Sequence, residues 1–244
     1  MLAKPIQPWH THGIPYTESP ALEPLTPSLV LVDQVYHRLL GAITDRTLQP
    51  GQRIRQAEMA ATLGVSRQPV SHALQLLKHQ GLVQDAGRKG LEVVPIDAGR
   101  IRDLYEVRGA LDGLAARLAA TRVAHGADAT AMQSALAAGA RLGPRAGLAA
   151  LVQADVDFHQ AIYALSGNPA IPETIGPQWP HFRRSMGTVL ALGPYRARAW
   201  HEHAAIARAI LSGDADAACA AAIDHAEAAG RETSQRLLMP QQAA

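Results

Sequence analysis

Between residues 28 and 95 the apolar pattern runs through one long helix, two short helices and two strand-like runs around a glycine-bearing turn, and few folds accept that order. Leu29, Val32, Val35, Tyr36, Leu39, Leu40 and Ile43 recur at three- and four-residue steps. This predicts a helix that starts at Pro27-Ser28 and ends near Thr47, before Pro50-Gly51. Arg53-Ile54-Arg55 reads as a short extended piece. A second helix runs from Gln56 to Leu63 and is closed by Gly64, which takes the left-handed conformation at no steric cost. Ser66 caps a third, which runs to about His79 and is closed by Gly81. Leu82-Val83-Gln84 and Leu91-Glu92-Val93-Val94 then read as two strands of a small β-hairpin, joined by a turn over residues 85–90.

Helix, helix, turn, helix and hairpin is the order of a winged helix-turn-helix, whose second motif helix presents its first residues to base edges in the major groove. Ser66, Arg67, Gln68, Ser71 and His72 occupy those positions. Arg can pair with guanine and Gln with adenine through two hydrogen bonds. Arg55 joins the DNA-facing set, and Arg88 and Lys89 at the hairpin tip would meet phosphates or a minor groove. Ala73, Leu74, Leu76 and Leu77 would face the core. The charge balance has the matching sign: residues 26–100 carry nine Lys or Arg against six Asp or Glu, whereas residues 101–244 carry thirteen of each. So small an excess is common in ordinary domains, and short helix pairs closed by glycine are common too. The pattern alone leaves DNA binding as one reading among others.

Residues 1–26 hold Pro5, Pro8, Pro15, Pro20 and Pro24 and read as a disordered tail, or as an arm that orders against a partner. Asp97-Ala-Gly-Arg100 marks a boundary, giving a DNA-reading domain over 27–96 and a helical domain over 97–240. Ala is abundant after residue 110, which favours helix because Ala loses no side-chain entropy there. Gly126, Gly143-Pro144, Gly167-Asn168-Pro169, Gly193-Pro194 and Gly213-Asp214 divide this half into five or six helices with short connections. The expected fold is therefore mainly α, a winged helix-turn-helix with a small hairpin wing followed by an all-α bundle. The single cysteine, Cys219, rules out an internal disulfide and fits a reducing cytoplasm. No run of eighteen apolar residues and no basic-then-apolar start are present, so a cytoplasmic location is expected.

Polar residues on the apolar stripes of the second half point to chemistry, since a polar group facing a core is costly unless paired. Arg108 lies in the stripe Ile101, Leu104, Tyr105, Leu111, Ala115 and Leu118. It either pairs with a buried carboxylate such as Asp112, snorkels to the surface, or anchors the carboxylate of a ligand. Asp155 and His159, four apart, share a stripe with Leu148, Leu151, Val152 and Ile162. His203 shares a face with Trp200, Ile206 and Ile210, and His225 with Ala218, Ala222 and Ala229. Each histidine alone is a core residue; one Asp and three His together suit a divalent metal. Such a metal could be structural, could activate water in a hydrolase-like enzyme, or could belong to a sensor. His181, Arg183 and Arg184 read as a solvated basic patch or as pocket-lining groups.

The motifs L-Q-P-G-Q-R-I (48–54), L-G-V-S-R-Q-P-V-S-H-A-L-Q-L-L (63–77) and Q-G-L-V (80–83) resemble the GntR family of transcription regulators, in particular its FadR-type branch. One departure is Ser71-His72, where the family usually has Arg-Glu, which leaves Arg67 and Gln68 as the main candidates for base readout. D-V-D-F-H (155–159), S-G-N-P (166–169), E-H-A-A-I-A-R-A-I-L-S-G-D (202–214) and D-H (224–225) resemble the ligand-binding FCD domain of the same branch. That resemblance implies a metal on Asp155, His159, His203 and His225, with zinc first and nickel or manganese possible, and an effector contact at Arg108. Asp112 stands where the family usually has Glu. It further implies a homodimeric repressor, not an enzyme, that releases double-stranded operator DNA when a small carboxylate binds.

Overall fold

The computed structural model describes residues 29–87, 90–143, 145–190 and 192–239. The expected tail over 1–26 and the hairpin-tip residues Arg88 and Lys89 lie outside them. Helix α1 spans Leu29–Thr44 and ends about three residues before the expected stop. Strand β1 (Arg53–Ile54), helix α2 (Gln56–Leu63) and helix α3 (Arg67–His79) follow, then strands β2 (Val83–Asp85) and β3 (Leu91–Val93). Gly64 closes α2 with φ 67°, the left-handed conformation expected of it. Ser66 occupies the N-cap of α3, but its hydroxyl makes no capping hydrogen bond.

The hairpin is a three-stranded antiparallel sheet, because the extended piece at Arg53–Ile54 adds to it in the order β1-β3-β2. Ile54 pairs with Leu91, and Leu91 pairs on its other side with Asp85. The sheet and three helices close over one core of Val35, Leu39, Ile43, Ile54, Val70, Leu74, Leu77, Leu82 and Val93. Leu76 departs from the expected core list at 47% exposed. The buried stripe of α3 is carried by Val70, Ala73, Leu74 and Leu77, and residue 76 points off it.

Among the described residues, seven helices form the second half: α4 (Ala98–Ala124), α5 (Thr130–Ala140), α6 (Leu148–Ser166), α7 (Ala170–Ile175), α8 (Trp179–Leu190), α9 (Gly193–Leu211) and α10 (Ala215–Leu238). The count exceeds the expected five or six because α7 is a six-residue helix joined to α8 by a 3-10 turn over Gly176–Gln178. Asp97 caps α4, accepting from the Arg100 backbone N–H at 2.7 Å. Helices α4 and α10 run antiparallel in close contact: Gly109 faces Ala226, Gly113 faces Ile223, and Gly230 faces Tyr105. A Cβ on Gly230 would lie 2.6 Å from the Tyr105 Cβ, so the absence of a side chain sets this spacing. Leu148 opens α6 at 40% exposed, off the inward stripe expected of it, because the bundle core begins one turn later at Leu151 and Val152. No described helix is long and apolar enough to cross a membrane.

Candidate functional site

Two places concentrate the chemistry. The first is the start of α3. Ser66, Arg67, Gln68 and His72 are exposed and Ser71 is half-buried, while Pro69, Val70, Ala73, Leu74 and Leu77 are buried beneath them. The helix thus presents a polar face with an apolar anchor behind it. Arg55 is exposed beside it, with Nη1 donating to Glu58 Oε1 at 2.8 Å. Arg53, Arg55 and Arg67 line one open depression of about 490 Å³ between the sheet and α3. The sequence reading places Arg53 in the extended piece but not among the DNA-facing residues. Its signal is the two-residue step to Arg55 in an extended segment, which puts both side chains on one side of the chain there.

The second place lies inside the bundle. Helix α6 brings Asp155 and His159, α9 brings His203, and α10 brings His225, all four buried. One ligating nitrogen from each histidine lies within 4.8 Å of the others. His203 Nε2 is 3.1 Å from His225 Nε2 and 3.5 Å from Asp155 Oδ1. His159 Nε2 is 3.9 Å from Asp155 Oδ2, and neither atom has a hydrogen-bond partner. The sequence spacing placed these residues on inward stripes, and the helices bring the three histidines to one point, with Asp155 beside His203 and His159.

Outer partners orient the rings. His225 Nδ1 donates to Glu202 Oε2 at 2.8 Å, which turns its Nε2 toward His203. His159 Nδ1 is 3.4 Å from Asp112 Oδ2. Asp112 also accepts from Arg108 Nε at 3.2 Å and from the Tyr163 hydroxyl. Arg108 is therefore paired with Asp112, the first of the alternatives weighed for it. Its guanidinium carbon lies 5.0 Å from the Trp179 ring centroid and 5.1 Å from that of Phe182. Its Nη2 is buried without a partner.

Burial, then the Arg108 charge and the neighbouring rings, holds His159 well below its ordinary pKa. Burial, then His225, does the same to His203. Both imidazoles are kept neutral, the form that offers lone pairs to a cation. Burial pushes Asp155 up. Burial also works against the Arg108 charge, but Asp112 with Tyr163 and Tyr105 outweighs it and raises the Arg108 pKa. A buried enclosure holding three imidazoles and a carboxylate, with Asp155 Oδ2 and His159 Nε2 unsatisfied, fits a divalent cation.

Glu202 and Tyr163 escaped the sequence reading. Tyr163 follows Asp155 and His159 at the same four-residue step, a usable signal. Glu202 carries none, because its partner His225 sits on a different helix. It stands on the outer nitrogen of that ring, on the side away from the other histidines. His181 and Arg184 are not a solvated patch: both are buried at the junction of the two halves, on Gln80 O and Val94 O respectively. Arg183 is half-buried.

Comparison with known proteins covers both places. The model for the FCD domain matches residues 103–228, and the model for bacterial regulatory proteins of the gntR family matches residues 31–93. An HTH-type transcriptional regulator of Streptomyces ambofaciens is 29% identical over 199 residues, 80% of this chain and 81% of that one. The HTH-type transcriptional repressor RspR of Escherichia coli K12 is 30% identical over 99 residues, 41% of this chain and 43% of RspR. Against other curated relatives, a Bacillus subtilis regulator among them, the chain spans only 38% to 50% of their length. A solved GntR regulator from Rhodococcus sp. RHA1 superposes with TM-score 0.70 at 23% identity, covering 83% of this chain and 96% of that one, and so shares the fold. These families and relatives are transcription regulators rather than enzymes.

Proposed function

The chain belongs to the GntR family of bacterial regulatory proteins and carries an FCD domain, and from that premise we propose that this DNA-binding regulator is a homodimeric repressor released from its operator by a small organic acid. The DNA-reading domain is taken as residues 27–96 and the sensing domain as 97–240. Two recognition helices α3 address successive half-sites of a roughly palindromic operator. Arg67 and Gln68 read bases, with Ser66, Ser71 and His72 beside them. Arg53, Arg55, Arg88 and Lys89 meet the phosphate backbone. The likeness to a relative named as a repressor supports the direction of control.

The observation that carries the sensing half of this reading is the buried cluster with its unsatisfied atoms. Asp155, His159, His203 and His225 would hold a divalent metal, zinc first and nickel or manganese next, which would supply a Lewis-acidic position for a carboxylate. Arg108 Nη2, buried without a partner, is the nearby cationic donor for the same carboxylate. Asp112 and Glu202 orient the histidines from outside.

The test uses fluorescence anisotropy on an operator duplex selected from a random pool. Small hydroxy, keto and sugar acids are added to metal-loaded and to chelated protein. One acid is expected to weaken DNA binding about 5- to 150-fold in the loaded protein and to lose that effect after chelation. Silence of every acid in the loaded protein would remove the effector reading, and an effect that survives chelation would take the metal out of the effector site. On the same duplex, Arg67→Ala is expected to weaken binding about 10- to 100-fold and to relax discrimination at one base pair. A uniform loss across all sequences would move Arg67 to the backbone contacts.

A further inference from the structure

Where the two halves of the chain meet, three arginines gather without a carboxylate partner. Arg46 lies in the turn after α1, and Arg183 and Arg184 are neighbours on α8. Arg46 reaches across the junction: its Nη2 donates to the Arg184 carbonyl oxygen at 3.0 Å. Its Nε sits 3.9 Å from where a Cβ on Gly187 would lie. Arg183 Nη1 donates to the neutral Gln153 Oε1 at 2.9 Å. Among the described residues, none of the three makes an ion pair within 4.0 Å. Asp45 borders the same space, but its Oδ1 accepts from the Thr47 backbone N–H.

Two of these guanidinium groups carry buried donors with nothing to bond. Arg184 is 3% exposed; its Nη2 donates to Val94 O and its Nη1 has no partner. Arg46 Nε is likewise buried and unpartnered. Arg46 also has φ 65°, and among the described residues no other non-glycine has a positive φ. Burial and then the Arg46 charge hold Arg184 down to about 10. A cavity of about 210 Å³ opens against these groups, bordered by Thr44, Arg46, Gln153, Arg183, Arg184 and Gly187. Buried like charges with idle donors are unfavourable unless a counter-charge is supplied. Asp157 acts on Arg183 from beyond ion-pair distance, and among the described residues no carboxylate pairs with the buried donors of Arg46 and Arg184.

We infer that this junction is a second ligand site, for a phosphate-class dianion held by Arg46 from the DNA-reading half and by Arg183 and Arg184 from the helical half. Planar guanidinium forks match tetrahedral oxyanions with paired hydrogen bonds. The bound anion joins groups from both halves, so it favours the arrangement in which they are joined and biases the angle at which α3 is presented to DNA. The site shares no residue with the histidine cluster.

The probe is inorganic phosphate, titrated into full-length metal-loaded protein at constant ionic strength and followed by thermal shift. Sodium chloride is the reference, and malonate represents a carboxylate dianion. Phosphate is expected to raise Tm by about 4 °C at saturation, with less from malonate and nothing from chloride. Arg46→Gln and, separately, Arg183→Gln are expected to abolish the rise while the distant Arg208→Gln keeps it; using two variants guards against one that folds poorly. A phosphate response retained in both variants would place the anion elsewhere, at the metal for instance, and would overturn the proposal, as would no response in the parent protein. A third measurement separates DNA phosphate from free phosphate. If Arg46→Gln lowers the salt dependence of DNA binding by about one ion while phosphate alone does nothing, the arginines serve the DNA backbone and the free-anion site is wrong.

Discussion

Arg108→Met is expected to lower the free energy of unfolding by about 3–5 kcal/mol, the range for removing one partner of a buried ion pair. For a chain of this size that corresponds to a fall in Tm of roughly 10 °C. Both members of the pair are almost fully buried, and Nε of the one lies 3.2 Å from the carboxylate of the other. Without the guanidinium, Asp112 keeps the Tyr163 hydroxyl and the nearby His159 ring but loses its cation. The aromatic walls formed by Tyr105, Trp179 and Phe182 would then enclose an unbalanced carboxylate. Met fills much of the same volume, so the loss reports charge rather than a cavity. The double variant Arg108→Met with Asp112→Leu is expected to recover most of the stability, because replacing a whole buried pair by apolar groups is often neutral. Urea unfolding of the two variants measures both numbers. A loss below about 1 kcal/mol in the single variant would mean that Arg108 does not balance Asp112, leaving ligand binding as its remaining role. The two roles are compatible in geometry, since Nε serves Asp112 while Nη2 has no partner.

Arg108 also marks how far a sequence can be read. Its place on an apolar stripe singled it out, but left pairing with Asp112, snorkelling to the surface and ligand anchoring open, and only the folded bundle shows the ion pair. The winged helix-turn-helix was legible because turns and periods are local: Gly64 and Gly81 sit in the left-handed conformation at the helix ends expected of them. The bundle was legible as a class for the same reason. Local signals failed where the answer depends on another element. β1 becomes a strand only because β3 offers it an edge. Glu202 becomes part of the histidine cluster only because α10 passes beside α9. His181 and Arg184 looked like a wet basic patch, yet both are buried and bonded to the carbonyls of Gln80 and Val94, 101 and 90 residues earlier in the chain. Convergence of His159, His203 and His225 is of this second kind. Spacing put each on an inward face, and only the packing of α6, α9 and α10 sets the 4.8 Å within which their ligating nitrogens fall.

His203→Ala is expected to reduce zinc affinity by more than about 100-fold, and Glu202→Gln by about 10-fold. Loss of an outer partner that orients a metal-bound histidine costs about 10- to 100-fold in affinity, and removing a ligand deletes the bond itself. His203 is central: its Nε2 lies 3.1 Å from the His225 nitrogen and 3.5 Å from Asp155. Glu202 acts only through the His225 ring, so its loss should leave the ligand count intact. Competition titration against a chelator of known affinity gives both values. The metal-free protein supplies a separate check. Burial holds His159 and His203 well below 6.5 in the folded state, whereas unfolded they titrate near that value. Below pH 6.5 the unfolded chain therefore binds more protons, so stability present above that pH is lost as it falls toward the folded values. His203→Ala removes one of these groups and should flatten the decline between about pH 6.5 and 5. Zinc affinity within threefold of the parent, combined with the flattened pH profile, would identify the cluster as a buried histidine core with its metal elsewhere. Loss of affinity with the flattened profile would tie both properties to His203.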